Sequence, residues 1–138
     1  MNHYAKPASL LLLAILLAGC STLAEFVPPV HILEPLWGEH LDAGRSYQLR
    51  ATIRSDHPIE LVEVRLWDVH SNYELTWRVD NPARSSTLSL DMPLEIPANA
   101  PADDDYRLDV TAFPGKGAAR NLYSASGYSV RLAVDNPR

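Results

Sequence analysis

The sequence predicts an all-β protein that folds as an antiparallel β-sandwich of about seven strands. Apolar and polar residues alternate with a period of two in several short runs after residue 30. No window shows apolar residues at helical spacing over three turns. Short strands separated by turn residues are typical of a sandwich. Prolines separate the runs, at Pro35, Pro58, Pro82, Pro93, Pro97, Pro101 and Pro114.

The alternation places the individual strands. The expected positions are 30–33, 47–53, 62–67, 73–79, 88–92, 106–112 and 128–134. In the second run Tyr47, Leu49, Ala51 and Ile53 should face the core, because successive side chains of a strand point to opposite faces. The link at 70–72 is short enough for a hairpin between the third and fourth strands.

The first twenty residues form a separate signal. Lys6 precedes an apolar run at 10–17, which is too short to cross the roughly 30 Å of a bilayer core. A charged start and a small-residue end are typical of a secretion signal. The motif Leu17-Ala18-Gly19-Cys20 resembles the lipobox of bacterial lipoproteins. That resemblance implies cleavage before Cys20, a diacylglycerol thioether on its sulfur and an acylated amino group; the alternatives are a buried thiol or an uncleaved anchor.

The expected organisation follows from this resemblance. Residues 1–19 are the signal peptide, 20–29 the lipidated cysteine and tether, and 30–138 the sandwich domain. Several acyl chains hold a protein stably on a bilayer. Ser21 stands where an Asp marks inner-membrane retention in bacterial lipoproteins, so an outer-membrane location is expected, on the periplasmic face or the cell surface. The nine residues 21–29 keep the domain within roughly 30 Å of the lipid.

Composition limits the partners. Loss of Lys6 with the signal changes the formal net charge from −5 to −6, and this acidic balance argues against binding nucleic acid or anionic head groups. Membrane contact is therefore expected through the lipid alone.

Cys20 is the single cysteine, so no disulfide is expected and the covalent lipid is the one attached group. Cleavage leaves 119 of the 138 residues, a typical size for one domain.

The order of turns and strands resembles a bacterial immunoglobulin-like domain over about 30–134. The resemblance rests on Ile32-Leu33-Glu34-Pro35, Asp42-Ala43-Gly44, the 59–64 strand and the approach to Tyr106. It implies a tyrosine corner, with the Tyr106 ring inside and its hydroxyl bonded to nearby backbone. Many bacterial members carry an Asp and a Gly-Asn pair after this strand, whereas this chain reads FPGKGAARN at 113–121. That departure weakens any calcium role implied by the resemblance.

Candidate metal ligands are few. Asp103, Asp104 and Asp105 could supply oxygens to a calcium ion. The sequence favours a solvated turn instead, because strand alternation points neighbouring carboxylates in opposite directions. His31, His40, His57 and His70 lack the spacing of a zinc site and are expected on the surface or in loops, so no metal site is predicted.

Three aromatic residues fall outside the inward-facing sets. Trp37, Trp67 and Phe113 are candidates for a binding surface, with capping of the open ends of the core as the alternative. Trp67 and Phe113 are expected near one end of the sandwich if the strands pair as in the resembled fold. Trp77, in contrast, is in phase with the core.

These features favour a lipid-anchored, non-catalytic binding or assembly module of the cell envelope, with a protein or glycan partner. The sequence shows no nucleophile, base and oxyanion set, so enzymatic activity is not expected. Two other interpretations remain. One is an accessory lipoprotein of a secretion or envelope complex that pairs a sheet edge with a partner strand. The other is a small periplasmic inhibitor of an enzyme such as lysozyme.

Overall fold

The computed structural model describes residues 29–114 and 125–137, and this part of the chain contains eight strands and no helix. The predicted signal peptide, Cys20 and the tether up to residue 28 lie outside the described residues. The strands are β1 (Val30–Glu34), β2 (His40–Asp42), β3 (Ser46–Arg54), β4 (Ile59–Asp68), β5 (Glu74–Asp80), β6 (Thr87–Glu95), β7 (Asp103–Pro114) and β8 (Ala125–Asp135). Within 29–114 and 125–137, no helix is long and apolar enough to span a bilayer.

The strands form two sheets. One has three strands in the order β1-β3-β6, and the other has five in the order β2-β8-β7-β4-β5. Every pairing is antiparallel except that of β2 with β8. This arrangement confirms the predicted all-β, immunoglobulin-like sandwich.

The structure adds one strand to the predicted seven. β2 has three residues, in which His40 pairs with Ala133 and Asp42 with Asp135 in a parallel ladder. Three residues are too few to show alternation along the sequence. The partner strand lies more than ninety residues away, so this pairing becomes visible only once the chain is folded.

The core lies between the two sheets and follows the period-two pattern. Alternate residues of β4 and β7 are almost completely buried, while their neighbours are half-buried or exposed. The largest fully buried side chains are Tyr106, Leu41, Leu49, Ile53, Ile59, Leu66, Leu94, Leu108 and Leu132. The predicted inward-facing positions Leu49, Ala51 and Ile53 are confirmed.

Two buried polar residues hold turns in place. Asn81, 6% exposed, donates its side-chain amide to the carbonyl oxygens of Ile59 and Ser85, at 2.9 and 3.4 Å. Asp68, 3% exposed, accepts a hydrogen bond from the backbone N–H of His70 at 2.9 Å. A buried polar group is tolerated when it is hydrogen-bonded in this way.

The sandwich has two ends, and the candidate sites are distributed between them. At the N-terminal end, the backbone N–H of Arg54 donates to Pro29 and that of Ser55 to Ser86. At the far end, the N–H of Ala43 donates to Asp135 and that of Gly44 to Ile96. The chain therefore enters the domain beside the loops 55–58 and 81–86.

Candidate binding surface

A tight turn at residues 36–39, called the apolar turn below, connects the two sheets between β1 and β2. The N–H of Glu39 donates to the carbonyl of Leu36 at 3.1 Å, and Gly38 has a φ of 77°. A positive φ at the third position is what a type II turn requires, and glycine adopts it without strain.

Further hydrogen bonds fix the apolar turn to itself and to β8. The N–H of Leu36 donates to Oε2 of Glu39 at 2.7 Å. The N–H of Gly38 donates to the carbonyl of Arg131 at 2.8 Å, and the N–H of Ala133 donates to that of Glu39 at 3.0 Å. The turn is thus held on both sides, so its backbone is organised before any partner arrives.

The apolar turn exposes two large side chains. Leu36 is 65% exposed and Trp37 is 63% exposed, and Leu33 nearby on β1 is 39% exposed. Adjacent exposed apolar side chains on an ordered surface are typical of contact sites. Trp37, predicted as a candidate binding residue, therefore lies on a rigid projection.

Trp67 is placed differently. It lies half-buried on the outer face of the five-stranded sheet, where its Nε1–H donates to Oδ2 of Asp109 at 2.7 Å. The guanidinium of Arg65 covers its ring at 5.3 Å from the centroid. Arg65 in turn pairs with Glu74 at 2.7 Å. The Trp67 side chain therefore makes its contacts within its own sheet.

Phe113 lies on the same outer face, close to the N-terminal end. It pairs with Leu61 in the β4–β7 ladder and lines an open depression with Glu63, Arg78 and Asp80. The expectation that Trp67 and Phe113 share one end is wrong. Leu61 and Trp67 are six residues apart on β4, which separates the two aromatic residues by roughly 20 Å along the strands. The sequence alone did not show that β4 and β7 pair antiparallel. In that pairing the end of β4, with Trp67, lies beside the start of β7, and Phe113 lies beside the start of β4.

The three consecutive carboxylates at the start of β7 have different partners. Asp103 accepts from Nδ1 of His70 at 3.0 Å and from the backbone N–H of Asp105 at 2.8 Å. Oδ1 of Asp105 lies 3.1 Å from Arg107 and 3.2 Å from Arg131, while Asp104 is exposed. The carboxylates do not converge on one point, as a shared calcium ion would require.

A different group of potential ligands comes together at the far end. Ligand atoms of Asp68, His70 and Asp103 lie within 4.8 Å of one another. Thirty-three residues separate His70 from Asp103, so sequence spacing gave no sign of this contact. The hydrogen bond to Asp103 raises the pKa of His70. The pKa of Asp103 is lowered, first by the hydrogen bond from the backbone N–H of Asp105 and second by the bond from His70.

Within this group, the hydrogen bonds to Asp68 hold the turn that follows β4. Both oxygens of Asp68 accept hydrogen bonds, from the His70 backbone and from the Ser71 hydroxyl. Ser71 donates to Asp68 and not to the imidazole, so the serine and histidine form no nucleophile–base pair.

The sequence pattern did not single out Leu36 or Arg65 as contact residues, although one signal for Leu36 was available. Pro35 and Gly38 flank Leu36 and Trp37, and proline and glycine are the strongest local markers of turns and loops. Arg65 gave no such signal, because its contact with Trp67 depends on how the side chains fold over the sheet.

No protein-family model matches the sequence, and neither does any curated protein. Among solved structures, the chain is similar to the fibronectin(III)-like modules of Clostridium thermocellum CbhA. The identity is 17% and the TM-score 0.47, and the alignment covers 78% of this chain and 96% of that one. Nothing about a partner or an activity of this chain follows from that likeness.

Proposed function

We propose that the chain is a lipid-anchored, non-catalytic binding module of the cell envelope, which recognises a protein through its apolar turn. The observation that carries this proposal is the exposure of Leu36 and Trp37 on a backbone that is already ordered. Ordering a loop on binding costs free energy, and a turn held by hydrogen bonds avoids most of that cost.

The chemistry of the apolar turn favours a protein over a glycan. Two adjacent apolar side chains suit an apolar pocket, since tryptophan anchors of this kind dominate many protein interfaces. Sugar recognition also needs free polar groups beside the aromatic ring. Here the carboxylate of Glu39, which belongs to the same turn, already accepts the N–H of Leu36.

The anchor rests on Cys20 and the signal pattern before it. A lipid on Cys20 would place the domain close to the bilayer, and the acidic body would leave the lipid as the membrane contact. The partner of such a module is itself a component of the envelope, consistent with a role as an accessory lipoprotein of an envelope complex.

The anchor is tested first. The wild-type chain should incorporate radiolabelled palmitate and fractionate with membranes, and a Cys20→Ser variant should do neither. If the variant partitions with membranes as the wild type does and neither chain is labelled, the lipid anchor is wrong.

The binding surface is tested by recovery of a partner from cross-linked, detergent-solubilised envelopes. Trp37→Ala should reduce recovery of a stoichiometric protein by about thirtyfold, as expected for a central tryptophan anchor. Phe113→Ala is the matched control, because Phe113 is an exposed aromatic residue away from the apolar turn, and it should recover the partner as the wild type does. Equal recovery with Trp37→Ala, or recovery of a glycan in place of a protein, contradicts the proposal.

A further inference from the structure

The free edge of the five-stranded sheet is the feature that extends furthest beyond the proposed function. Among the described residues, β5 pairs only with β4, so one side of its backbone has no strand beside it. Other sheet edges are interrupted: β6 contains Pro93, and the β1 pairing has an irregularity between Ile32 and Glu34. Prolines and irregular pairing are ways in which natural sheets avoid edge-to-edge association. β5 has neither.

The main-chain groups that face away from β4 can be assigned. The N–H of Asp68 donates to Tyr73, and the N–H of Asn81 donates to Glu60. Odd-numbered residues of this segment therefore direct their N–H and C=O groups towards β4. Because this direction alternates along a strand, the groups of Glu74, Thr76 and Arg78 point to the open edge.

The side chains of β5 alternate as well. Glu74, Thr76 and Arg78 are exposed on the outer face, whereas Leu75, Trp77 and Val79 face the core and are only half-buried. The inward-facing residues of the neighbouring strand, Val62, Val64 and Leu66, are fully buried. The edge therefore leaves apolar surface partly uncovered, and a further strand would cover it.

We infer that β5 is a self-association site, at which two copies of this chain pair antiparallel about a two-fold axis at Thr76. In this register Glu74 lies opposite the partner's Arg78, and Arg78 lies opposite the partner's Glu74. Thr76 faces the partner's Thr76, and Leu75 faces the partner's Trp77. All of the outward main-chain groups of Glu74, Thr76 and Arg78 then find partners, and the two sheets become one.

Charge selects this register over its neighbours. An axis at Trp77 places Glu74 opposite the partner's Asp80, and an axis at Arg78 places two guanidinium groups opposite each other. Like charges directly opposite on neighbouring strands are destabilising, whereas opposite charges are favourable. Of these three registers, the Thr76 register alone pairs opposite charges.

The surrounding charges fit the same register. Within one chain Glu63 pairs with Arg78 at 3.2 Å, and these residues lie opposite each other on β4 and β5. In the dimer this row continues to the partner's Glu74, so that negative, positive and negative charges alternate across three strands. Arg65, which pairs with Glu74, adds a positive charge beside that carboxylate.

The inference is tested by a charge exchange between two differently tagged copies of the full chain, expressed in the same cells and isolated from membranes. Two wild-type copies should be isolated together. Glu74→Arg in both copies, or Arg78→Glu in both copies, should reduce joint isolation about tenfold, because two attractive pairs become repulsive. One Glu74→Arg copy expressed with one Arg78→Glu copy should restore it, since every opposing pair is then complementary.

A proline variant tests the main-chain bonds. Thr76→Pro removes an N–H that faces the open edge and is not used within one chain, so joint isolation should be lost while the thermal unfolding temperature stays close to that of Thr76→Ala. If Thr76→Pro fails to fold, the charge exchange still decides the question.

The inference is overturned if wild-type copies are not isolated together, if the single charge variants still associate, or if the mixed pair does not recover. Trp37→Ala should leave self-association intact, so failure of this inference and failure of the apolar turn as a binding site are distinguishable.

Discussion

The hydroxyl of Tyr106 donates a hydrogen bond to the carbonyl oxygen of Pro101 at 2.8 Å. Tyr106 is fully buried, and burial raises the pKa of its hydroxyl well above the ordinary value, so the group stays protonated and acts as a donor. The bond ties the connection between β6 and β7 to the core. The tyrosine corner implied by the resemblance to immunoglobulin-like domains is therefore confirmed.

Tyr106→Phe should lower the free energy of unfolding by about 1–2 kcal/mol. The substitution keeps the ring in the core and removes only the hydrogen bond to Pro101, whose net contribution is expected to be of that size. Urea unfolding followed by circular dichroism measures the change. An unfolding midpoint equal to that of the wild type would show that the corner does not contribute to stability.

Tyr73→Phe is the matched comparison. Among the residues that the structure describes, the buried Tyr73 hydroxyl has no hydrogen-bond partner, and its ring meets that of Tyr106 edge-on at a centroid distance of 6.4 Å. Burying an unpaired hydroxyl is unfavourable, so its removal should leave stability unchanged or raise it by up to about 1 kcal/mol. A loss as large as that of Tyr106→Phe in the same urea experiment contradicts this expectation.

Trp67→Ala should destabilise the fold by about 1–3 kcal/mol, because the half-buried ring packs under Arg65 and donates to Asp109. Trp37→Ala should change stability by less than about 0.5 kcal/mol, because its side chain is mostly exposed. Thermal and urea unfolding of both variants provide the comparison. The reverse order of effects would remove the distinction between a structural and a binding tryptophan.

The contact of His70 with Asp103 predicts a pH-dependent stability. The pKa of His70 is raised above 6.5, so its contribution is complete below about pH 6.5 and is lost as the pH rises through the folded-state value. The pKa of Asp103 is lowered below 3.8, so its contribution is complete above that value and is lost as the pH falls through the folded-state value. Both contributions are therefore present together between about pH 4 and 6.5.

His70→Gln should accordingly lower the unfolding temperature at pH 5.5 more than at pH 9. Thermal unfolding of the wild type and the variant at both pH values measures this difference, and NMR titration of His70 should give a pKa above 6.5. A difference of the same size at both pH values would mean that the protonated imidazole is not involved.

Calcium at millimolar concentration should leave the unfolding temperature of the chain unchanged. Asp103 and Asp105 are turned to His70 and to Arg107 and Arg131, so they present no common site with Asp104. A calcium titration followed by thermal unfolding, with magnesium as the control ion, tests this. A saturable rise specific to calcium would restore the calcium site.

The strands could be predicted from the sequence because alternation is a local property. The stripe Leu49, Ala51 and Ile53 is visible in consecutive residues, and its burial follows from the geometry of one strand. β2 could not be predicted in this way, because its three residues are defined by their pairing with Ala133, Val134 and Asp135.

The amino-acid sequence by itself determined the fold class and the inward-facing positions, both of which depend on near neighbours along the chain. The separate character of the first twenty residues stays a prediction. Only the tertiary structure decided that Trp37 projects from a rigid turn, that Trp67 is covered by Arg65, and that His70 meets Asp103. Those outcomes depend on strand register and direction. Register brings together residues that are far apart in the chain, and no short stretch of sequence contains that information.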